Sequence, residues 1–265
     1  MGIGPESEFC IMSETKKAIQ ELFHQERLKK FRVVELLKVT VDEEGDLEFS
    51  TVCVGENRLH RQYGAESFAV VSFSRDRDCL EGDIQNRRIL RDGFQHDSKQ
   101  WRFCCFSASM LREGKSLFTC IDPDEVRAWI GDFSSIKNVS KLGARIGQPL
   151  SQSIPTVTIP ADQVTVLPDI TRNGYEFTDG CGRISLQLAK QIRDDIGLSY
   201  IPSAFQFRYA GSKGVVIVDK RVHGLELRES QVKFNSEHTV FVNIGDVHKY
   251  INKNYPPSLF RHLPD

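Results

Sequence analysis

No apolar run in this sequence approaches the roughly 20 residues that a membrane-spanning helix requires. The N-terminus lacks the basic-then-apolar layout of a secretory signal. Seven cysteines (10, 53, 79, 104, 105, 120 and 181) include no CxxC pair and no regular disulfide-like spacing. They read as reduced packing residues of an intracellular, nuclear or cytoplasmic protein. If 101–106 is a strand, Cys104 and Cys105 point to opposite faces. A basic excess is also missing: the net charge is −1 and the pI about 6.7. Any nucleic-acid contact must therefore come from a local patch. No His or Cys cluster offers a zinc site. Gly211-Ser-Lys-Gly is not a Walker A loop, since it lacks that loop's spacing and following helix. Repeats and low-complexity tracts are absent. What remains, 40% hydrophobic and 27% charged over 265 residues, is an ordinary globular composition with material for a sizeable core.

Ser13 opens a helical stretch to about Lys30, with Ala18, Ile19, Leu22 and Phe23 on one face. Residues 31–41 and 47–54 read as strands joined by a turn at Glu43–Asp46. Ser67 to Phe73 is another apolar strand. The charged cluster at 74–92 reads as a solvated connector. Aromatic alternation makes 101–109 a core strand without chemistry of its own. Asp122-Pro123 caps a short helix that Gly131 ends. Pro149, Pro155 and Pro160 in a Ser/Thr/Gln-rich stretch make 148–163 a linker or surface loop.

The densest signal lies at 177–234. Phe177-Thr-Asp-Gly-Cys-Gly predicts a tight turn at Asp179, Gly180 and Gly182 whose backbone amides could line a groove. A helix from Ser185 buries Leu188, Ala189, Ile192 and Ile196 and ends at Gly197. Phe205, Phe207 and Tyr209 alternate with Gln206 and Arg208, a strand with one buried face. Val215 to Val218 reads as a strand buried on both faces. Between them Gly211 and Gly214 form a turn with Lys213 at its tip. Leu225 and Leu227 alternate in another strand, and Thr239 to Ile244 forms the last. Over 205–234 six cations (Arg208, Lys213, Lys220, Arg221, Arg228, Lys233) face three acids (Asp219, Glu226, Glu229). Pattern alone allows an ordinary hairpin with solvated charges.

Three segments in order, FTDGCGRIS, PSAFQFRYAGSKGVV and LELRESQVKF, resemble the cellular RNA-dependent RNA polymerases of RNA silencing. Looser matches precede them at Arg58, Arg61 and Tyr63, at Trp101–Arg112 and at Lys141–Ser151, so the likeness covers about 58–234. It implies an α+β, β-rich fold, with a slab-like N-terminal part followed by a double-psi β-barrel-like domain. The divisions would be 1–57 unassigned, 58–147 slab, 148–163 linker, 164–250 an incomplete barrel and 251–265 tail. It also implies RNA template and nucleoside triphosphates as partners, together with RNA-silencing proteins and a C-terminal half carrying the second barrel. Carried over by position, Arg208, Lys213 and Lys233 would contact nucleotide or RNA phosphates. Arg228 is a weaker candidate, because Glu229 and Gln231 stand where the family has Pro and Met. Arg145, flanked by Gly143 and Gly147, could reach a phosphate or a structural carboxylate.

The family's Mg²⁺ is held by an Asp-x-Asp-Gly-Asp loop, and no such run occurs here. Asp179-Gly180 has no partner aspartates at the required positions. The expectation is a polymerase portion that holds no catalytic metal itself. The alternatives are a non-catalytic RNA-binding or scaffolding module of the same descent, or an unrelated α/β interaction domain.

Overall fold

The computed structural model describes residues 32–73 and 80–245. The helix expected over 13–30 and the tail from 251 lie outside them, as do Cys10 and Cys79.

Val33–Val41 (β1) and Leu47–Gly55 (β2) form the expected antiparallel hairpin, with Val41 opposite Leu47. Helix α1 (Arg58–Tyr63) then carries the chain to Phe68–Phe73 (β3), which runs parallel to β1. Asn57 caps α1: its side-chain oxygen accepts from the amides of Leu59 and His60. Residues 80–92 are a helix, α2 (Leu80–Asp92), where the sequence suggested a connector. Ile89 is its one fully buried side chain among residues 84–92, so its charge pattern hid the helical period. Phe94–His96 (β4), Lys99–Cys105 (β5), helix α3 (Ala108–Arg112) and Lys115–Thr119 (β6) follow. They complete a six-stranded sheet of order β2-β1-β3-β6-β5-β4. Cys104 and Cys105 do not divide between faces. The β5–β6 register slips between Phe103 and Cys105, and both cysteines are buried in one apolar cluster. Helix α4 (Pro123–Ile130) is capped by Asp122, as the sequence signals, and α5 (Val139–Ile146) is capped by Asn138.

The second sheet has seven strands. Ile154–Thr158 (β7) lies inside the stretch read as a linker. Among the described residues it pairs only with the last strand, an edge position at which Pro155 is tolerated. Val164–Leu167 (β8) leads to a small separate ribbon of Thr171–Arg172 (β9) and Tyr175–Glu176 (β10). Next come Cys181–Ser185 (β11), helix α6 (Leu186–Asp195), Ala204–Tyr209 (β12) and Ser212–Asp219 (β13). Leu225–Arg228 (β14) and Val240–Gly245 (β15) finish the sheet, in the order β7-β15-β12-β13-β11-β14-β8. Helix α6 covers one face, placing Leu188, Ala189 and Ile192 over Phe205, Phe207, Val216, Leu225 and Leu227. Phe207 stacks on Phe241 at 5.2 Å, and Tyr209 Oη donates to Ile159 O at 2.7 Å. Each such ring contributes about 1.5–3 kcal/mol by leaving water. Val215–Val218 is not buried on both faces: Val216 is fully buried while Ile217 is exposed, so β13 alternates as a one-sided strand does.

The two sheets share material. Phe234, beyond β14, packs in the first sheet's core with Val126 and Ile130, and lies 4.7 Å from Phe133. Asp132 N donates to Asn235 O at 2.8 Å, and Trp129 lies 4.0 Å from His238.

Candidate phosphate-binding site

β12 and β13 are joined by Ala210-Gly211, both at positive φ (42° and 79°), a two-residue hairpin turn. Lys213 is therefore not at the tip but one residue inside β13, directly opposite Arg208. The turn is held from three sides. Ala210 N donates to His238 O, Gln148 Nε2 to Gly211 O, and Lys233 N to Gly211 O.

Because Phe205, Phe207 and Tyr209 face the α6 core, Arg208 emerges on the other face of the sheet. Its Nη1 donates to Phe207 O at 2.9 Å and its Nη2 approaches Ser151 Oγ at 3.5 Å. Burial lowers its guanidinium pKa to about 10. Arg145 arrives from the last turn of α5. Gly143 and Gly147 around it serve packing, since a Cβ on either would meet Phe106 at 2.8 Å or less. Lys233 follows the turn after β14, with its Nζ on Ser230 O.

These four cations are close enough to repel. The Lys213 ammonium is held below the usual lysine range by burial first, then by Arg208, Arg145 and Lys233. Lys233 is lowered by burial and by Arg145, against the opposing pull of Asp179 and Asp169. Among the described residues none of the four makes an ion pair with a carboxylate. Arg228 stands apart: its Nη1 donates to Pro168 O at 2.8 Å, and its charge acts on Asp169 and Cys181.

The Asp179–Gly182 turn forms, but its amides are engaged internally. Gly180 N donates to Ser230 Oγ at 2.9 Å and Cys181 N to Thr178 O at 2.9 Å. Gly182 and Gly214 are close-approach positions rather than groove walls. A Cβ on Gly182 would sit 2.3 Å from Glu226 O, and one on Gly214 2.3 Å from Gly180 O.

Three residues that sequence reasoning passed over organise the site. Gln231 is fully buried, donates to Gly180 O (3.2 Å) and Val215 O (3.0 Å), and accepts from Arg228 N (2.9 Å). Ser230 accepts from Gly180 N, donates from its own N and Oγ to Asp169 (2.8 Å each), and takes Lys233 Nζ on its carbonyl. Asp169 also accepts from Thr178 Oγ1 at 3.0 Å. The signal for Gln231 was its departure from the family's Met. Nothing local marks Asp169, whose partner lies 61 residues away.

No three His, Cys, Asp or Glu side chains among the described residues come together to hold a metal. Asp219 and Glu226 approach each other only through Arg183, at 3.3 and 2.6 Å. Asp219 is further held by Arg221, which brings its carboxyl down to about 2. These carboxylates are engaged with arginines and do not fit the Mg²⁺ that the resemblance implies.

The profile of the family described as RNA dependent RNA polymerase matches residues 51–263. RNA-dependent RNA polymerase 1 of Arabidopsis thaliana is 44% identical over 163 residues, covering 57% of this chain and 14% of that protein. RNA-dependent RNA polymerase 2 of the same plant is 43% identical, over 58% of this chain and 15% of that protein. A Schizosaccharomyces pombe RNA-dependent RNA polymerase 1 is 34% identical over 165 residues and covered to 14%. The chain thus spans about one seventh of the length of these three relatives. Among solved structures, RNA dependent RNA polymerase QDE-1 from Thielavia terrestris shares the fold. Its TM-score is 0.66 at 22% identity, over 80% of this chain and 28% of that one. With a profile running from β2 past β15 and relatives in plants and yeast, this chain belongs to the RNA dependent RNA polymerase family.

Proposed function

We propose that this chain is the part of an RNA-directed RNA polymerase of RNA silencing that supplies cations to nucleotide and RNA phosphates. The seven-stranded sheet would be its first double-psi barrel, and the six-stranded sheet the slab behind it. The observation that carries this reading is the gathering of Arg145, Arg208, Lys213 and Lys233 without a carboxylate counter-ion among the described residues. Like charges held together raise the free energy of the unliganded protein, and a polyanion relieves that cost. Phosphoryl transfer needs such groups where negative charge accumulates, and it needs a metal as well. Mg²⁺ would be held by an Asp loop outside this chain, in the second barrel. Template RNA, nucleoside triphosphates and RNA-silencing proteins, in nucleus or cytoplasm, are the partners this reading assigns.

The test is binding of fluorescein-labelled single-stranded RNA at several salt concentrations. Lys213→Ala and Lys233→Ala should each weaken binding about tenfold, the effect of one lost charged hydrogen bond. Each should also flatten the log K against log salt slope by about 0.7. If both variants keep the parent slope, the cations do not touch phosphate.

A further inference from the structure

Beside the cation group stands an exposed feature with no assigned role, the β9–β10 ribbon. Asn173 and Gly174, at φ 51° and 79°, form its turn. Arg172 lies directly opposite Tyr175, so the two share a face of the ribbon. Phe177 lies two residues beyond Tyr175, just past the end of β10, where a further cross-strand bond continues the ladder and sets it on the same side. Its N–H donates to Ile170 O at 2.9 Å. Tyr175 is 71% exposed, Phe177 60% and Ile170 42%. Aromatic rings left in water on so short a ribbon contribute nothing to its own core.

The ribbon's base is fixed. Asp169 before it and Thr178 after it are bonded to each other, and Asp169 to Ser230, the residue whose carbonyl holds Lys233 Nζ. The aromatic face therefore sits on the same anchor as one of the phosphate-seeking cations. We propose that Tyr175 and Phe177, with Arg172 opposite Tyr175 on β9, form a stacking platform for unpaired bases of a single RNA strand. That strand's phosphates would lie toward Lys233, Lys213 and Arg145.

Two physical points select RNA as the occupant. Positions two residues apart along an extended backbone are about 6.6 Å apart, and successive bases of a single strand stack on aromatic side chains set out along such a surface. The neighbouring charges also suit a polyanion: Arg172 shares the face, while the Asp169 carboxylate is turned to Ser230 and Thr178 and, with Asp179, lies against the opposing charges of Arg228 and Lys233. An apolar patch of three side chains is far smaller than the roughly 1,200 Å² that a stable protein interface buries.

This proposal rests on the phosphate reading above, and the experiment separates the two. The 265-residue chain, Tyr175→Ala, Phe177→Ala, the double variant and Lys213→Ala are titrated with labelled oligoadenylate. They are also titrated with an abasic ribose-phosphate oligomer of equal length. Each ring removed should cost about tenfold in oligoadenylate affinity and leave abasic binding unchanged. A Tyr175→Trp variant should be quenched by oligoadenylate and not by the abasic oligomer. The platform is overturned if the double variant binds oligoadenylate like the parent while Lys213→Ala does not, a result that leaves the phosphate reading standing. Failure of the parent to bind either oligomer overturns both. Loss of self-association in the double variant with RNA affinity unchanged would make the face a protein interface and also overturn the platform.

Discussion

At the scale of single residues, Gln231 does what its family counterpart cannot. A Met there could fill the same space but could not bond Gly180 O, Val215 O and Arg228 N at once. Gln231→Met should therefore leave Arg228 N without its acceptor and take one donor each from Val215 O and from Gly180 O, which keeps Val215 N, lowering stability by about 2 kcal/mol. Urea unfolding followed by tryptophan fluorescence measures it, and an unchanged midpoint would show that these bonds add nothing net. RNA affinity should fall with it, since Ser230 and Lys233 hang from the same turn. The site cations were legible because they sit inside dense local motifs: Arg208 and Lys213 are five residues apart, and Lys233 ends LELRESQVKF. Their meeting with Arg145 was not legible, because α5 approaches through Phe106 packing that no local spacing encodes. Arg228 carried the motif's charge, yet its guanidinium turns to Pro168 O instead.

Among elements, α1 is the joint between the sheets. Arg61 donates Nη1 to Ser153 O (2.8 Å) and Nη2 to Ser153 Oγ (2.9 Å), and approaches Glu56 at 3.4 Å. Arg58 reaches His238 O at 3.5 Å, and burial followed by the nearby Arg61 charge brings its guanidinium down to about 10. One helix thus grips the entry to β7 and the approach to β15, the two outermost neighbours on that side of the seven-stranded sheet. Arg61→Ala should cost about 2 kcal/mol in urea unfolding, because Ser153 O and the nearly buried Glu56 lose a partner. Arg61→Lys should recover only part, since one ammonium cannot reproduce the forked contact. Equal midpoints for Ala and parent would remove the joint. The sequence showed Arg58 and Arg61 but not this role, which depends on contacts 92 and 180 residues away. Strands with clean alternation, such as β12 and β14, were readable throughout. Elements that were missed or misread had physical cover: proline on the edge strand β7, charge on helix α2, a register slip at Cys104. The Asn173-Gly174 pair was a hairpin signal that went unused, and it marks the ribbon carrying Tyr175.

For the whole molecule, the question is what a rigid cation platform can do by itself. The shared core at Phe234 and the bonds at Asp132 and Trp129 make the six-stranded sheet a support for the β12–β13 turn rather than a separate unit. That support holds positive charge in place before any ligand arrives, so the phosphate contact proposed above would need little reorganisation. Nucleotidyl transfer also requires a metal to activate the attacking oxygen and steady the leaving pyrophosphate. The carboxylates nearest such a role, Asp219 and Glu226, are bound to Arg183 and Arg221. We therefore expect this chain to bind single-stranded RNA but to show no Mg²⁺-dependent incorporation of labelled nucleotide on a template. Supplied with the downstream part of a family member carrying the Asp loop, it should incorporate nucleotide. Lys213→Ala should then lower that rate by about tenfold or more. Incorporation by this chain alone would refute the division of labour, because the metal would then have to be held by residues already present. RNA binding that survives while the combined protein stays inactive would instead mark this branch as a binding module of polymerase descent.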